Sequence, residues 1–452
     1  MDSMDKRDFL KTSGMALGAT MLSGFAKAED TARPGAERTN WSGNYTYRAP
    51  RFLAPTSVAE VQQAVRAASK LRALGTRHSF NAIADSSVEQ VCLHNLQSLS
   101  LDAAAHTVTL GSGVTYGTLD AWLDSRGFAL PNLASLPQIS VAGGISTATH
   151  GSGLHNRNLS SAVVALQFVA ASGELVTLSR EKNSDVFPGA VVALGALGIL
   201  TSLTLSVEPT YQVAQVVYQD LPFAELEHNL ETIFGSGYSV SLFTDWQHGR
   251  VTQAWIKRRV EPGKPYAWPD EFYDAKRATH KLHPAGQDPA PCTEQLGIPG
   301  PWHERLPHFR MGFTPSTGHE LQTEYHVPLE HGYQAIRAVE SLRDQITPHL
   351  FVTELRTIAP DDLWMSMSYR REALAIHFTW KPEWDAVRAL LPRIEARLAP
   401  FAPRPHWAKL FTMQPAVLQS HYEKLADFKQ LLRQYDPDGK FRNEFLAENL
   451  YS

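Results

Sequence analysis

Cysteine is nearly absent: the 452 residues hold two, Cys92 and Cys292, far apart in the chain. That is neither a disulfide framework nor a zinc spacing, so two unbridged thiols are expected. Charge is sparse too. Asp, Glu, Lys and Arg make up 19% of residues, the formal net charge is -4, and no run of Lys/Arg forms a basic patch. Nucleic acid and acidic membrane surfaces are therefore poor partners. The apolar run Ser13 to Phe25 is shorter than the roughly 20 residues that cross a bilayer, so no stable membrane insertion is expected. No G-x-G-x-x-G follows a strand, and no G-x-x-x-x-G-K-[ST] occurs, which removes Rossmann and P-loop nucleotide binding. The G-x-S-x-G elbow of a large class of serine hydrolases is missing as well. His303, Glu304 and His308 do not have the spacing of a zinc helix, and Pro307 interrupts them, so no metal is expected. There is no internal repeat.

What is present is an ordinary core-forming composition, 43% hydrophobic, in a chain long enough for two domains. The first 28 residues differ from the rest. Lys6, Arg7 and Lys11 precede the apolar run, and Ala26-Lys27-Ala28 supplies a small-x-small site before Glu29. This is the pattern of a cleaved export signal. The segment Asp5 to Lys11 resembles a twin-arginine signal with Lys6 in place of the first arginine. A periplasmic location is expected.

Farther along, Ser57 to Ala68 reads as a helix capped by Ser57 or Thr56, with Val58, Val61 and Val65 on one face. Leu71 to Leu74, Val91 to Leu93, Thr107 to Leu110, Ala162 to Ala170 and Ile199 to Val207 read as strands, and Thr118 to Arg126 as a helix. Glu208-Pro209 breaks the pattern, and Glu261 to Pro301 reads as a long Pro/Gly-rich excursion. Amphipathic helices are expected over Tyr333 to Arg343 and Trp384 to Leu398, and a turn at Asp436 to Gly439. The expected organisation is a first domain over residues 40–209, a second over 210–425, and a C-terminal segment, 426–452, that rejoins the first.

Three segments are not explained by packing. Leu74-Gly75-Thr76-Arg77-His78-Ser79-Phe80-Asn81 is a strand end followed by a polar turn. Leu130 to Gly144 and Ser146 to Gly153 concentrate small residues and hydroxyls around Pro131, Pro137, Ile139 and Val141. Such backbone can approach a pyrophosphate closely and offer it many donors. Flexible linkers lack the embedded packing residues. Two further pairs lie two residues apart, and so on one face of a strand: Glu354 with Arg356, and His377 with Thr379.

Together these segments resemble the vanillyl-alcohol-oxidase type of FAD-binding domain, in the branch that holds alditol oxidases and sugar-lactone oxidases. The resemblance runs from Asn40-Trp41-Ser42-Gly43-Asn44 through Gly195 to Ile199 and on to Lys440-Phe441-Arg442-Asn443. It implies an α+β fold, an FAD domain roofed by a substrate (cap) domain of mixed sheet and helices. It also implies FAD bonded covalently to His78. Leu74, Gly75, Thr76, Arg77, Ser79, Ser135, Ser140, Gly143, Thr147, Ala148, Thr149 and His150 would hold the cofactor, and the Ile199 backbone would meet the adenine. Glu354, Arg356 and Lys409 take the catalytic roles. Ser135, His377 and Thr379 join them in binding the substrate. On this reading Arg356 and Lys409 stabilise a developing alkoxide while Glu354 balances their charge. Two positions depart from the family: Arg77 and Ala148 stand where glycine is usual. Both disfavour φ > 0, so a different local loop path is expected.

The implied activity is oxidation of a xylitol- or sorbitol-like polyol at a terminal hydroxyl, with oxygen as acceptor. Two alternatives stay open. One is a sugar-1,4-lactone oxidase or dehydrogenase that passes electrons to another acceptor. The other is a flavin-free exported sugar-binding protein, which leaves the His78 and His150 segments without a purpose.

Overall fold

The computed structural model describes residues 38–451 apart from 262, 264, 265, 314 and 315. The expected export segment lies outside the described residues. Both cysteines are free, Cys292 buried and Cys92 half-buried. No helix among the described residues is long and apolar enough to cross a membrane.

The N-terminal part opens on a small three-stranded sheet. Arg51–Leu53 and Leu71–Ala73 both pair parallel with Glu89–Val91. A five-stranded antiparallel sheet follows, in the order Leu99–Asp102, Thr107–Gly111, Ile199–Ser206, Val163–Val169, Leu175–Ser179. The helix Val58–Ala67 begins where its cap directs, with Ser57 Oγ accepting from Glu60 N at 3.3 Å. The next helix starts slightly earlier than expected, at Tyr116, because Thr115 caps it by accepting from Thr118 N.

The second part is built on an antiparallel ten-stranded sheet. Its central order is Gln212–Pro222, Arg250–Val260, Ser239–Thr244, Leu350–Ile358, Ala373–Trp380, Leu321–Pro328. Strand alternation gives this sheet two unlike faces. Leu355, Leu374, Ile376, Phe378 and Tyr325 bury against the helices Phe223–Phe234, Gly332–Glu340 and Trp384–Leu398 through Leu226, Ile336 and Leu391. The opposite face carries Gln322, Glu324, Glu354, Arg356, His377 and Thr379 toward the first part.

Glu208–Pro209 lies between the last strand of the five-stranded sheet, which ends at Ser206, and the first of the large sheet, which begins at Gln212, and pairs antiparallel with Phe128–Ala129. One expectation needs correction. The Glu261 to Pro301 stretch is not a bare loop. Its short strands Glu271–Phe272, Ala275–Arg277 and Gly300–Pro301 extend the large sheet at its edge, where paired backbone groups cost less than unpaired ones.

The C-terminal segment packs on the first part. Leu71 N donates to Lys440 O at 3.1 Å, and Lys440 Nζ reaches Val65 O and Ala171 O. Asn443 Nδ2 donates to Ala82 O and Asp85 O. Arg72 is buried, and no carboxylate among the described residues is bonded to it. Its guanidinium instead donates to the carbonyls of Ile83, Leu194, Gly195 and Phe441, which ties the first strands, the 194–195 turn and the C-terminal segment together.

Candidate active site

One continuous cavity runs between the two parts. Leu166, Phe168, Leu197 and Gly198 wall one end; Phe243, Phe309, Val352, Glu354 and His377 wall the other. Leu74, Gly75, Thr76, Arg77, His78, Ser79, Ser135, Ser140, Gly143, Thr147, Thr149 and His150 all line it. Ala148 and Ile199 do not. The Ala148 side chain packs into the first part's main core, and Ile199 packs with Val61, Val65 and Phe441. Their flanking residues Thr147, Thr149, Gly198 and Leu200 take the lining positions.

The His78 turn is held from several directions. Asn40 Nδ2 donates to Ser79 O and Asn44 Nδ2 to Phe80 O, each at 2.9 Å. Trp41 N donates to Arg77 O, and the Trp41 indole stacks on the His78 ring at 5.2 Å and 22°. This is why the Asn40 to Asn44 motif accompanies the histidine. On the other side Phe80 N donates to Ala408 O, while Asn81 Nδ2 donates to Trp407 O and Lys409 O. The turn is thus stitched directly to the loop that bears Lys409. Burial, with a smaller push from Arg77, lowers His78 to about 4, so its ring is neutral at neutral pH with one nitrogen lone pair free.

Arg77 and Ala148 do not redirect their loops. Both adopt the left-handed conformation themselves, with φ of 65° and 55°. The strain, on the order of 1 kcal/mol for a non-glycine residue, is accepted because the surrounding hydrogen bonds dictate the path.

The polar face of the large sheet forms the far end. Across three neighbouring strands, Glu354, His377 and Glu324 stand in one row, and Gln322 faces Thr379 beside them. Glu354 accepts from His308 Nε2 at 2.7 Å; Arg356 Nε lies 3.5 Å from it and His377 Nδ1 3.7 Å. Arg356 also donates to Ser135 Oγ at 3.4 Å and to Glu324 Oε1 at 3.3 Å. Lys409 Nζ sits 2.5 Å from Glu324 Oε2, and His150 Nε2 lies 2.9 Å from Oε1. Every residue assigned from sequence to the substrate end therefore converges.

The sequence reading passed over Glu324. Glu354 is joined in balancing the site's positive charge by Glu324, which has 0% exposure and lies between Lys409 and Arg356. The alternation of Gln322, Glu324 and His326 along the strand, with Tyr325 and Val327 between and after them, is the signal that could have found it. Lys257 and His308, which stand behind Glu354, left no such trace.

Burial would raise both carboxyls. For Glu324 this is outweighed by Lys409, His150 and Arg356, and for Glu354 by Arg356, His308 and His377, so both lie well below the usual range. His377 is pushed down to about 4 by burial and by Lys409, and neither ring nitrogen has a hydrogen-bond partner among the described residues. It is free to meet a substrate hydroxyl. His150, Glu324 and His326 bring ligand atoms within 4.8 Å of one another. Lys409 and Arg356 already share that carboxylate, so a metal ion there would face two cations.

The residues fit an elongated dinucleotide of the FAD type. On the cavity wall, the Tyr47 hydroxyl and Ser112 Oγ are buried without partners among the described residues. Gly75 and Gly143 keep the Ser140 hydroxyl clear, since a Cβ at either would approach Ser140 Oγ to 2.6 or 2.8 Å.

Glu324→Gln should leave Lys409 and Arg356 with an unbalanced buried charge and cost about 3–5 kcal/mol of stability at pH 7. The folded carboxyl of Glu324 lies below its ordinary 4.5, so its contribution is present above that pH and is lost as pH falls through the folded value. Melting temperatures from pH 3 to 7 should therefore fall less steeply on acidification in the variant than in the wild type. Parallel curves would remove Glu324 from this role.

Comparison with known proteins agrees with this geometry. A family model for an FAD binding domain matches residues 49–179, and one for D-arabinono-1,4-lactone oxidase matches residues 316–449. An alditol oxidase of Streptomyces sp. is 45% identical, over 91% of this chain and 98% of that protein. An L-gulono-1,4-lactone dehydrogenase of Mycobacterium tuberculosis is 26% identical, over 90% of this chain and 97% of that one. Among solved structures, a solvent-stable cholesterol oxidase superposes with a TM-score of 0.75 at 16% identity, covering 91% of this chain and 97% of its own, a likeness of fold. With its site residues on one cavity and nearly the full length of an alditol oxidase matched at 45% identity, the chain belongs to the FAD-linked oxidase family of the alditol and aldonolactone oxidases.

Proposed function

We propose that the protein oxidises a polyol of the xylitol or sorbitol type at a terminal hydroxyl, with FAD held covalently by His78 and oxygen as the final acceptor. The observation that carries this reading is the row Glu324, His377, Glu354 with Arg356 and Lys409, at the opposite end of the cavity from Leu166 and Phe168. The 45% identity to an alditol oxidase supports the choice of substrate. When bound, FAD supplies the hydride acceptor and passes the electrons to oxygen, giving hydrogen peroxide.

The protein's part is to orient the polyol and favour loss of the hydroxyl proton. Glu354, His377, Thr379, Gln322 and Ser135 offer donors and acceptors to successive hydroxyls. Phe243, Phe309 and Val352 exclude water at that end, which strengthens each electrostatic contact. Lys409 Nζ keeps N–H groups beyond the one given to Glu324 and, with Arg356, stabilises oxyanion character as it develops. At the other end, Leu166, Phe168 and Leu197 suit a flat adenine, and the 140–150 hydroxyls and amides suit the pyrophosphate. The neutral His78 ring has the free nitrogen that a bond to the flavin needs.

A lactone substrate has one specific observation behind it. The D-arabinono-1,4-lactone oxidase match, 316–449, covers the segment that bears Glu324, Glu354, Arg356, His377 and Lys409. Purified protein should be yellow, hold its colour after acid precipitation, and release FAD in the His78→Ala variant. In a panel of xylitol, sorbitol, L-gulono-1,4-lactone and D-arabinono-1,4-lactone, read aerobically for peroxide and again with a dye acceptor, the polyols should be the better substrates. Free FAD in the wild-type supernatant would end the covalent reading. A preference for lactones would end the polyol reading.

Lys409→Met keeps the bulk of the stem and removes the charge. It should slow anaerobic flavin bleaching at saturating polyol by about 10²–10³, with a smaller change in Kd. A wild-type rate with only weaker binding would reduce Lys409 to a binding residue.

Export belongs to the same proposal. Its support is Lys6-Arg7, the apolar run and Ala26-Lys27-Ala28. Periplasmic protein should begin at Glu29 on N-terminal sequencing; a cytoplasmic protein with Met1 intact would count against it.

A further inference from the structure

We propose that Lys257 and His308 act as a positioning pair for Glu354, the Lys257 ammonium fixing His308 as the Nε2–H tautomer that donates to the substrate-binding carboxylate. This rests on the polyol reading above and adds two residues to that site.

Lys257 lies on Arg250–Val260 with 1% exposure, and no carboxylate among the described residues is bonded to it. Its Nζ donates to Leu306 O and to Pro307 O, the latter at 3.2 Å, and lies 3.2 Å from His308 Nδ1. The other ring nitrogen, Nε2, is 2.7 Å from Glu354 Oε1, with Ser241 Oγ 3.5 Å away. Phe243 and Trp255 meet the ring edge-on at 5.5 and 5.2 Å and hold its plane.

The donors and acceptors determine the tautomer. Two carbonyls can only accept, so an ammonium spends two N–H groups on them and turns the third toward His308 Nδ1. Nδ1 must then be the bare nitrogen, and Nε2 carries the proton that Glu354 receives. A neutral amine has two N–H groups for the same two carbonyls, and its lone pair faces the ring. That arrangement favours Nδ1–H and presents a bare Nε2 to the carboxylate, which repels it. The protonation state of Lys257 is thus transmitted through one ring to the group that binds substrate.

The charged neighbours agree with this assignment. Burial lowers Lys257 to about 7, against the pull of Glu354. Burial and Lys257 lower His308 to about 4, with Glu354 opposing, so the ring stays neutral with a single proton. Cys292 and Arg356 are the other groups whose charge bears on Lys257; Arg356 and His377 are those on Glu354. Lys409, also lowered by burial, is the second amine of the site able to titrate.

The test uses the flavin-loaded enzyme in anaerobic stopped flow, with the polyol selected by the panel. The concentration dependence of bleaching gives Kd, and its plateau gives the hydride-transfer rate. In the wild type, Kd should rise above about pH 7 with little change in the plateau. Lys257→Met should raise Kd about tenfold at pH 6.5 and remove that rise. His308→Gln presents an amide donor at the Nε2 position whatever Lys257 does, so Lys257→Met added to it should have no further effect on Kd. Additive effects of the two substitutions, or an intact pH dependence in Lys257→Met, would overturn the proposal and leave Lys409 as the titrating group. If Lys257→Met does not fold, His308→Gln decides alone, since it too must abolish the pH dependence. Should the wild type oxidise no polyol, the function proposed above fails on its own. The ¹⁵N spectrum of the histidines then tests the pair: His308 must change tautomer between pH 6 and 8.5, and an unchanged tautomer would refute it.

Discussion

A carboxylate with no exposure is stable as an anion only where fixed donors replace the water it has lost. Glu324 meets that condition with cations from two separate stretches of chain, Arg356 from the neighbouring region of the large sheet and Lys409 from the loop after it, while His150 Nε2 of the first part lies 2.9 Å from the same carboxylate. Remove any one and a buried charge is left short of partners. The dependence also runs the other way, because Lys409 and Arg356 are themselves buried cations that need a counter-charge. Arg356 also donates to Ser135 Oγ of the first part, so the site's electrostatics and the docking of the two parts are linked through one guanidinium.

The same coupling appears at the backbone level. The loop that carries Lys409 adds to the edge of the Leu321–Pro328 strand, with His406 N donating to Glu324 O and Leu410 N to Gln322 O. Its outer side receives Phe80 N and Asn81 Nδ2 from the turn that carries His78. His78 and Lys409 are thus held relative to each other by one main-chain hydrogen bond and the short side chain of Asn81 rather than by long flexible side chains. Geometry at a redox centre tolerates little error, and this is the kind of support that limits it. The left-handed Arg77 fits the same account, as strain retained where the surrounding bonds leave no other path.

The large sheet separates stability from chemistry by strand alternation. Leu355 and Ile376 face the helices, while Glu354 and His377 face the cavity. Substitutions on the helix side act on packing, and those on the cavity side act on charge and hydrogen bonding. His308 stands at the cavity between Glu354, to which its ring is bonded, and Ser135 of the first part, whose carbonyl accepts from His308 N, while Lys257 lies behind it and reaches the site only through that ring.

Local chemistry made much of this legible from residues alone. Ser57 starts its helix through its own hydroxyl, and the glycines and hydroxyls around His78 and His150 mark a close-approach loop wherever they occur. Pairs two apart, Glu354 with Arg356 and His377 with Thr379, share a strand face for geometric reasons that need no tertiary knowledge. Other features depend on which strands become neighbours. Glu324 is important because its strand lies beside the one bearing His377 and within reach of Lys409, and nothing adjacent to it in sequence says so. Arg77 and Ala148 adopt φ > 0 against their own preference, since long-range bonds outweigh local sterics there. Lys257 and His308 are 51 residues apart, and His308 and Glu354 46. Ionisation, tautomer and charge balance are properties of desolvated groups in contact, and only the tertiary structure decides which groups those are.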